Sequence, residues 1–144
     1  MEGGLVLIPF FALFFAIVDY GMAIFLKNTF QHAVREGVRY AVTYQTLNGS
    51  TGQDASIKSV VQTNAMGFLN GTNANLIQIH YYDGRTLVET GMNSPGNIVE
   101  VSVQGYQWGV IAPLLRSASP ITLTAFSSDR MEALPDGVFS PPPR

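Results

Sequence analysis

From Leu5 to Leu26 the chain reads LVLIPFFALFFAIVDYGMAIFL, an apolar run in which Asp19 is the one charged residue. At about 1.5 Å per residue, this run as an α-helix is roughly 33 Å long, the thickness of a bilayer's hydrocarbon. A helix that is apolar on every side has no wet face, so it requires lipid or a surround of other helices. A signal peptide competes for the same position, but no basic segment precedes the run and no small-residue cleavage site follows it. The helical pattern instead continues straight through Lys27.

Charge is scarce and unevenly placed. Charged residues make up 12% of the 144-residue chain, about half the usual share for a soluble domain. The deficit lies in the run, and from Lys27 onward the composition is that of an ordinary small domain. The chain is too short for two ordinary domains. It divides into residues 1–27, an apolar membrane or filament-core helix, and residues 28–144, the amphipathic continuation with a globular head. A net charge of −2 and the lack of a basic run give no footprint for nucleic acid. Without cysteine there is no disulfide, thiolate metal site or cysteine nucleophile, and the compartment stays open. Lys27, Arg35 and Arg39 all follow the run, whereas a span entering from the cytoplasm carries its basic residues before it. Either the topology is reversed or a basic leader has been removed, and the second is the expectation.

Beyond the run, Phe30, Ala33, Val34, Gly37, Val38 and Ala41 form an apolar stripe, with Lys27, Gln31, Arg35, Glu36 and Arg39 on the wet sides. One continuous helix is therefore expected from about Gly4 to Tyr44. A loop follows over Leu47–Gly52, then a second helix capped by Asp54 and running to about Leu69, ended by Asn70-Gly71-Thr72. From Leu76 the period changes to two, predicting a strand to Tyr82, a hairpin turn at Asp83-Gly84 and a short return over Arg85–Glu89. Further strands are expected at Ile98–Tyr106 and Ile121–Asp129. Trp108–Leu115 reads as an apolar turn or short helix, and the PPP tail ends the fold. The fold class is α+β: a long N-terminal helix packed on a small antiparallel sheet head with a second helix.

These residues carry a resemblance. Glu2 to Gly21 looks like the start of TadE-like proteins, and QHAVREGVRYAV at Gln31–Val42 resembles the same family's A-R-E-G-A-R-Y-A stretch. Val101–Thr124 is similar to its strand, apolar P-L-L turn and I-T-L-T strand. The resemblance covers most of the chain, with its specific part in the first forty or so residues. It implies a pilin-like component of Tad pili, a branch of the type IV pilus superfamily, made with a short basic leader that a prepilin peptidase removes. Such pilins carry a glutamate at the fifth mature position that pairs with a neighbour's N-terminal amine. The candidate here is Glu2, which shifts the register if Met1 is the mature end. The major Tad pilins are far smaller, so a head of this size points to the minor or pseudopilin class, or to filaments built from it.

Each residue singled out for assembly also has a plainer reading. Glu2 suits the positive end of any helix dipole. Pro9 removes a helical hydrogen bond, which in pilin-like helices eases departure from the membrane but is also tolerated near a helix start. Phe10 and Phe14, with Phe11, Phe15 and Phe25, belong to lipid or core packing rather than to an aromatic electron path. Asp19 costs several kcal/mol in an apolar setting unless it is paired, protonated or wet. It is either an assembly partner or a carboxylate near the water interface. Gly21 and Gly37 permit close helix approach. His32 and Glu36 share a helix face but have no second histidine nearby, and surface hydrogen bonding outweighs a metal role. His80 is alone in a strand. Asn48-Gly49-Ser50 and Asn70-Gly71-Thr72 are sequons by pattern and read as turns. No catalytic motif stands out, so no enzyme activity, cofactor or metal is expected.

The leading expectation is a structural subunit that enters the inner membrane by its helix and polymerises with copies of itself into an extracellular filament, alongside other pilins and the assembly machinery. Two rivals share its fold. One is a membrane-anchored accessory or minor pilin that does not form the filament body. The other is a binding module on a membrane stalk, using Gly91–Asn97 or Trp108–Leu115.

Overall fold

A computed structural model describes residues 2–47, 52–109, 111, 120–135, 137 and 140–144, with residues 2–5 described by their backbone alone. Forty-one residues without a turn signal make a single helix, α1 (Glu2–Val42), about 60 Å long. Pro9 lies inside it and the helix runs on past it. The apolar spacing in its second half is what the head covers. Ala23, Leu26, Phe30, Ala33, Val34, Val38 and Ala41 recur at three- and four-residue intervals, and all are buried.

The head supplies a second helix, α2 (Gln53–Asn64), a 3₁₀ turn at Gly71–Leu76, and four strands: β1 (Ile77–Tyr82), β2 (Glu89–Thr90), β3 (Ile98–Trp108) and β4 (Ile121–Arg130). The strands form one antiparallel sheet in the order β2-β1-β3-β4. Period-two alternation turns Val99, Val101 and Val103 of β3, Leu123 and Ala125 of β4, and Ile77 and Tyr81 of β1 into the core. There they meet the stripe of α1, and Phe30 packs edge-on against Tyr106 with ring centroids 4.8 Å apart. The α+β architecture expected from the sequence is the one the chain adopts.

β3 runs back along α1 toward its apolar half. At one end of the head the Glu132 N–H donates to the Val42 carbonyl at the C-terminal end of α1 (3.4 Å). At the other, the chain beyond Trp108 reaches Asp19. A bulge lets the long strand follow the helix: the β3–β4 register shifts between Val103 and Tyr106, where Gly105 takes a φ of +75°.

Several elements differ from the sequence reading. α2 begins at Gln53 after Gly52, a cap position without a side chain, so Asp54 falls inside the first turn, where its carboxyl is engaged by Tyr81 and Arg144. It ends at Asn64 rather than near Leu69: Met66 and Gly67 take φ of +53° and +85°, which stops the helix while Leu69 still reaches the core. The return strand is only Glu89–Thr90. Asp83 draws the chain into a wider turn, its Oδ1 accepting the Arg85 and Thr86 N–H groups while its own N–H donates to the Val88 carbonyl. β3 extends two residues past Tyr106. The expected loop at Leu47–Gly52, including the Asn48 sequon, and the expected turn at Trp108–Leu115 lie largely outside the described residues.

Candidate assembly and membrane surface

The first half of α1 projects from the head. Large apolar side chains stay exposed along it from Val6 (70%) to Phe25 (44%), including Leu7, Ile8, Phe11, Leu13, Ile17, Val18 and Ile24. A continuous apolar surface of this extent marks an interaction site, since exposed patches on soluble monomers seldom exceed a few hundred Å². The helix is long and apolar enough to cross a membrane.

The residues singled out for assembly fall into separate surroundings. Phe10 and Phe14 are 60% and 51% exposed. Their ring contacts among the described residues are with neighbours on the same helix, Phe10 edge-on to Phe11 and Phe14 edge-on to Phe15, each with centroids 5.7 Å apart. Pro9 is exposed beside them. Gly21 is exposed too, and a Cβ there would meet nothing within 4 Å. The side chain of Glu2 lies outside the described residues.

Asp19 behaves differently. It is 1% exposed, and its carboxyl group accepts the Ile111 backbone N–H at 2.9 Å to each oxygen. Its partner lies 92 residues away. It begins the stripe Asp19, Ala23, Leu26, Phe30 that faces the head, so the head covers one side of α1 well inside the apolar run. On the other side Tyr20, Ile24 and Phe25 remain open.

Of Gly21 and Gly37, it is Gly37 at which close approach occurs within the chain. A Cβ there would press on Val61 of α2, with Ile57 and Val101 also in contact range. His32 is exposed and Glu36 half-buried on the wet side of α1. His80 lies on β1, its Nδ1 2.6 Å from the Glu89 Oε1.

One cluster escaped the sequence reading. The proline tail folds back instead of trailing off. The Gln53 N–H donates to the Pro143 carbonyl (2.7 Å), and Asn93 Nδ2 donates to the Pro142 carbonyl (2.9 Å). Arg144 pairs with Asp54 (3.0 Å), donates to the Gly91 carbonyl and stacks over the Tyr81 ring, while the Tyr81 hydroxyl donates to Asp54. Buried Gln53 joins this cluster to α1, donating to the Ala41 carbonyl and accepting from Asn93. The only local signal was a charged residue closing a proline run. The same network, with the Met131 N–H donating to Asn97 and the Gly96 N–H to Met131, stitches the Gly91–Asn97 loop to its own chain.

Residues 1–39 match the family model described as TadE-like protein. The match lies on α1 and, over that segment, bears out the resemblance to TadE-like proteins read from the sequence. No curated protein and no solved structure matches the chain.

Proposed function

We propose that the protein is a structural subunit that anchors in the inner membrane by α1 and then polymerises through that helix into an extracellular surface filament. The observation that carries this reading is the exposed apolar half of α1, Val6 to Phe25, continuous with the helical half that packs on the head. Such a surface is stable only in lipid or among like helices. Moving it from one to the other builds a filament core without any change in the head. At about 25 cal/mol per Å², a few hundred Å² buried against each of several neighbours is ample to hold a subunit in place. The TadE-like match over α1 supports the same reading.

Electron microscopy of material sheared from producing cells, with mass spectrometry of its proteins, tests it. Thin filaments composed mainly of this chain are expected. A chain confined to membrane fractions, absent or in traces from filaments, would assign it instead to the accessory or minor-pilin role.

A further inference from the structure

The head reaches farther along α1 than a simple stalk-and-head division allows. Between Val6 and Val18 most side chains are exposed and none is fully buried, with Ala12, Phe15 and Ala16 half-buried, so the largely open length of α1 is about 20 Å. A bilayer's hydrocarbon is about 30 Å thick. The missing length is available on one side of the helix only, where Tyr20, Ile24 and Phe25 stay exposed up to Lys27, the first basic residue of the chain. A span that begins near Val6 and ends near Phe25 places Asp19 about 9 Å below the hydrocarbon boundary. Whatever packs on Asp19 from the head then lies below that boundary as well.

What packs there is the chain leaving β3. The Ile111 N–H is held by the Asp19 carboxyl group, and the Ile111 side chain is 52% exposed. The described residues at this end, Trp108, Gly109 and Ile111, carry no charge. Irregular backbone at membrane depth is costly because its N–H groups lack water, and each must find an internal partner. Asp19 is that partner for Ile111, and the amide in turn gives a carboxyl group within an apolar run a donor.

We infer that the membrane-proximal end of the head, at Ile111, is immersed in the outer part of the bilayer beside α1, with the Asp19–Ile111 contact as the bond that lets it enter. The occupant of this surface is lipid acyl chain. The inference rests on the reading that α1 spans a membrane before assembly.

The chain has no cysteine, so single cysteines report cleanly. Ile111→Cys is labelled with an environment-sensitive fluorophore in the full chain, reconstituted in phosphatidylethanolamine–phosphatidylglycerol vesicles at low protein density. Phe14→Cys reports the span. Ala133→Cys reports water, lying next to the Glu132 amide that reaches Val42 at the far end of α1. Quenching by nitroxide lipids is compared with quenching by aqueous iodide. The expected result is lipid quenching at 111 several-fold above that at 133, strongest with shallow nitroxides, and deep-nitroxide quenching at 14. A label at 111 that behaves like the one at 133, while 14 stays lipid-quenched, overturns the inference and leaves the membrane reading standing. A label at 111 shielded from both quenchers assigns the surface to another copy and overturns it too. Iodide quenching at both 14 and 111 brings down the membrane reading itself.

Discussion

The Ile111 backbone N–H bridges both carboxyl oxygens of Asp19, at 2.9 Å each, across 92 residues of chain. This contact ties the end of the head beyond Trp108 to the apolar half of α1, and it gives a purpose to a carboxyl group that sits within an apolar run.

Asp19→Ala removes the acceptor and leaves a part-buried amide without it, a loss of about 1 kcal/mol. Thermal unfolding of the full chain in detergent is expected to shift down accordingly. Asp19→Asn keeps one acceptor oxygen and is expected to lose clearly less. Equal melting of all three proteins would remove the structural role assigned to the contact.

Gly37 and Gly21 lie on the same helix and predict opposite results. An alanine at 37 presses its Cβ into Val61, and overpacking of this kind costs about 1–3 kcal/mol. At 21 the added methyl meets nothing within 4 Å of the subunit. Gly37→Ala is expected to lower the melting temperature of the isolated subunit, and Gly21→Ala to leave it unchanged or slightly raised. Any loss from Gly21→Ala is expected in filament yield, where neighbouring helices approach. Equal melting losses would contradict the packing described.

The folded-back tail is a surface device of modest strength. Arg144 and Asp54 are both partly exposed, so their pairing contributes less than about 1 kcal/mol. Arg144→Ala is therefore expected to change global melting little. It is expected to speed hydrogen exchange at the Gln53 amide, now bonded to the Pro143 carbonyl, and proteolysis of the last residues. Unaltered exchange and cleavage would show that the tail is held without Arg144.

Burial pushes the Tyr81 phenol far above its ordinary value of 10.0, and the neighbouring Asp54 adds to the rise. Folding thus disfavours the ionised phenol. The stability tied to Tyr81 is complete below about pH 10 and is lost progressively as the pH rises beyond it toward the folded value. Unfolding followed by circular dichroism is expected to bring a late, cooperative gain in tyrosinate absorbance. Tyr81→Phe is expected to flatten the alkaline loss while lowering neutral stability through the missing bond to Asp54. An alkaline profile identical in both proteins would contradict this.

Much of the architecture was readable because it rests on periodicity. The stripe from Phe30 to Ala41 and the alternation of Val99, Val101 and Val103 each declare a buried face, and the two faces meet. The apolar half of α1 was equally plain, since no soluble packing accounts for a run with one charge. What escaped depends on distant partners. Asp19 was read as an assembly or interface residue, because nothing local marks an amide 92 residues away as its partner. Arg144, Tyr81 and Asp54 come from three elements that no short pattern connects. Asp54 in particular looked like a helix cap, but it falls inside the first turn, where its carboxyl group is engaged by Tyr81 and Arg144.

The central claim is that the exposed apolar half of α1 is buried by copies of itself. It is tested most directly by placing the sole cysteine at Phe10 and probing intact surface filaments with a water-soluble maleimide. The account predicts protection in the filament and full labelling once detergent disperses the subunits. Equal labelling of Phe10→Cys in intact filaments and dispersed protein would contradict it.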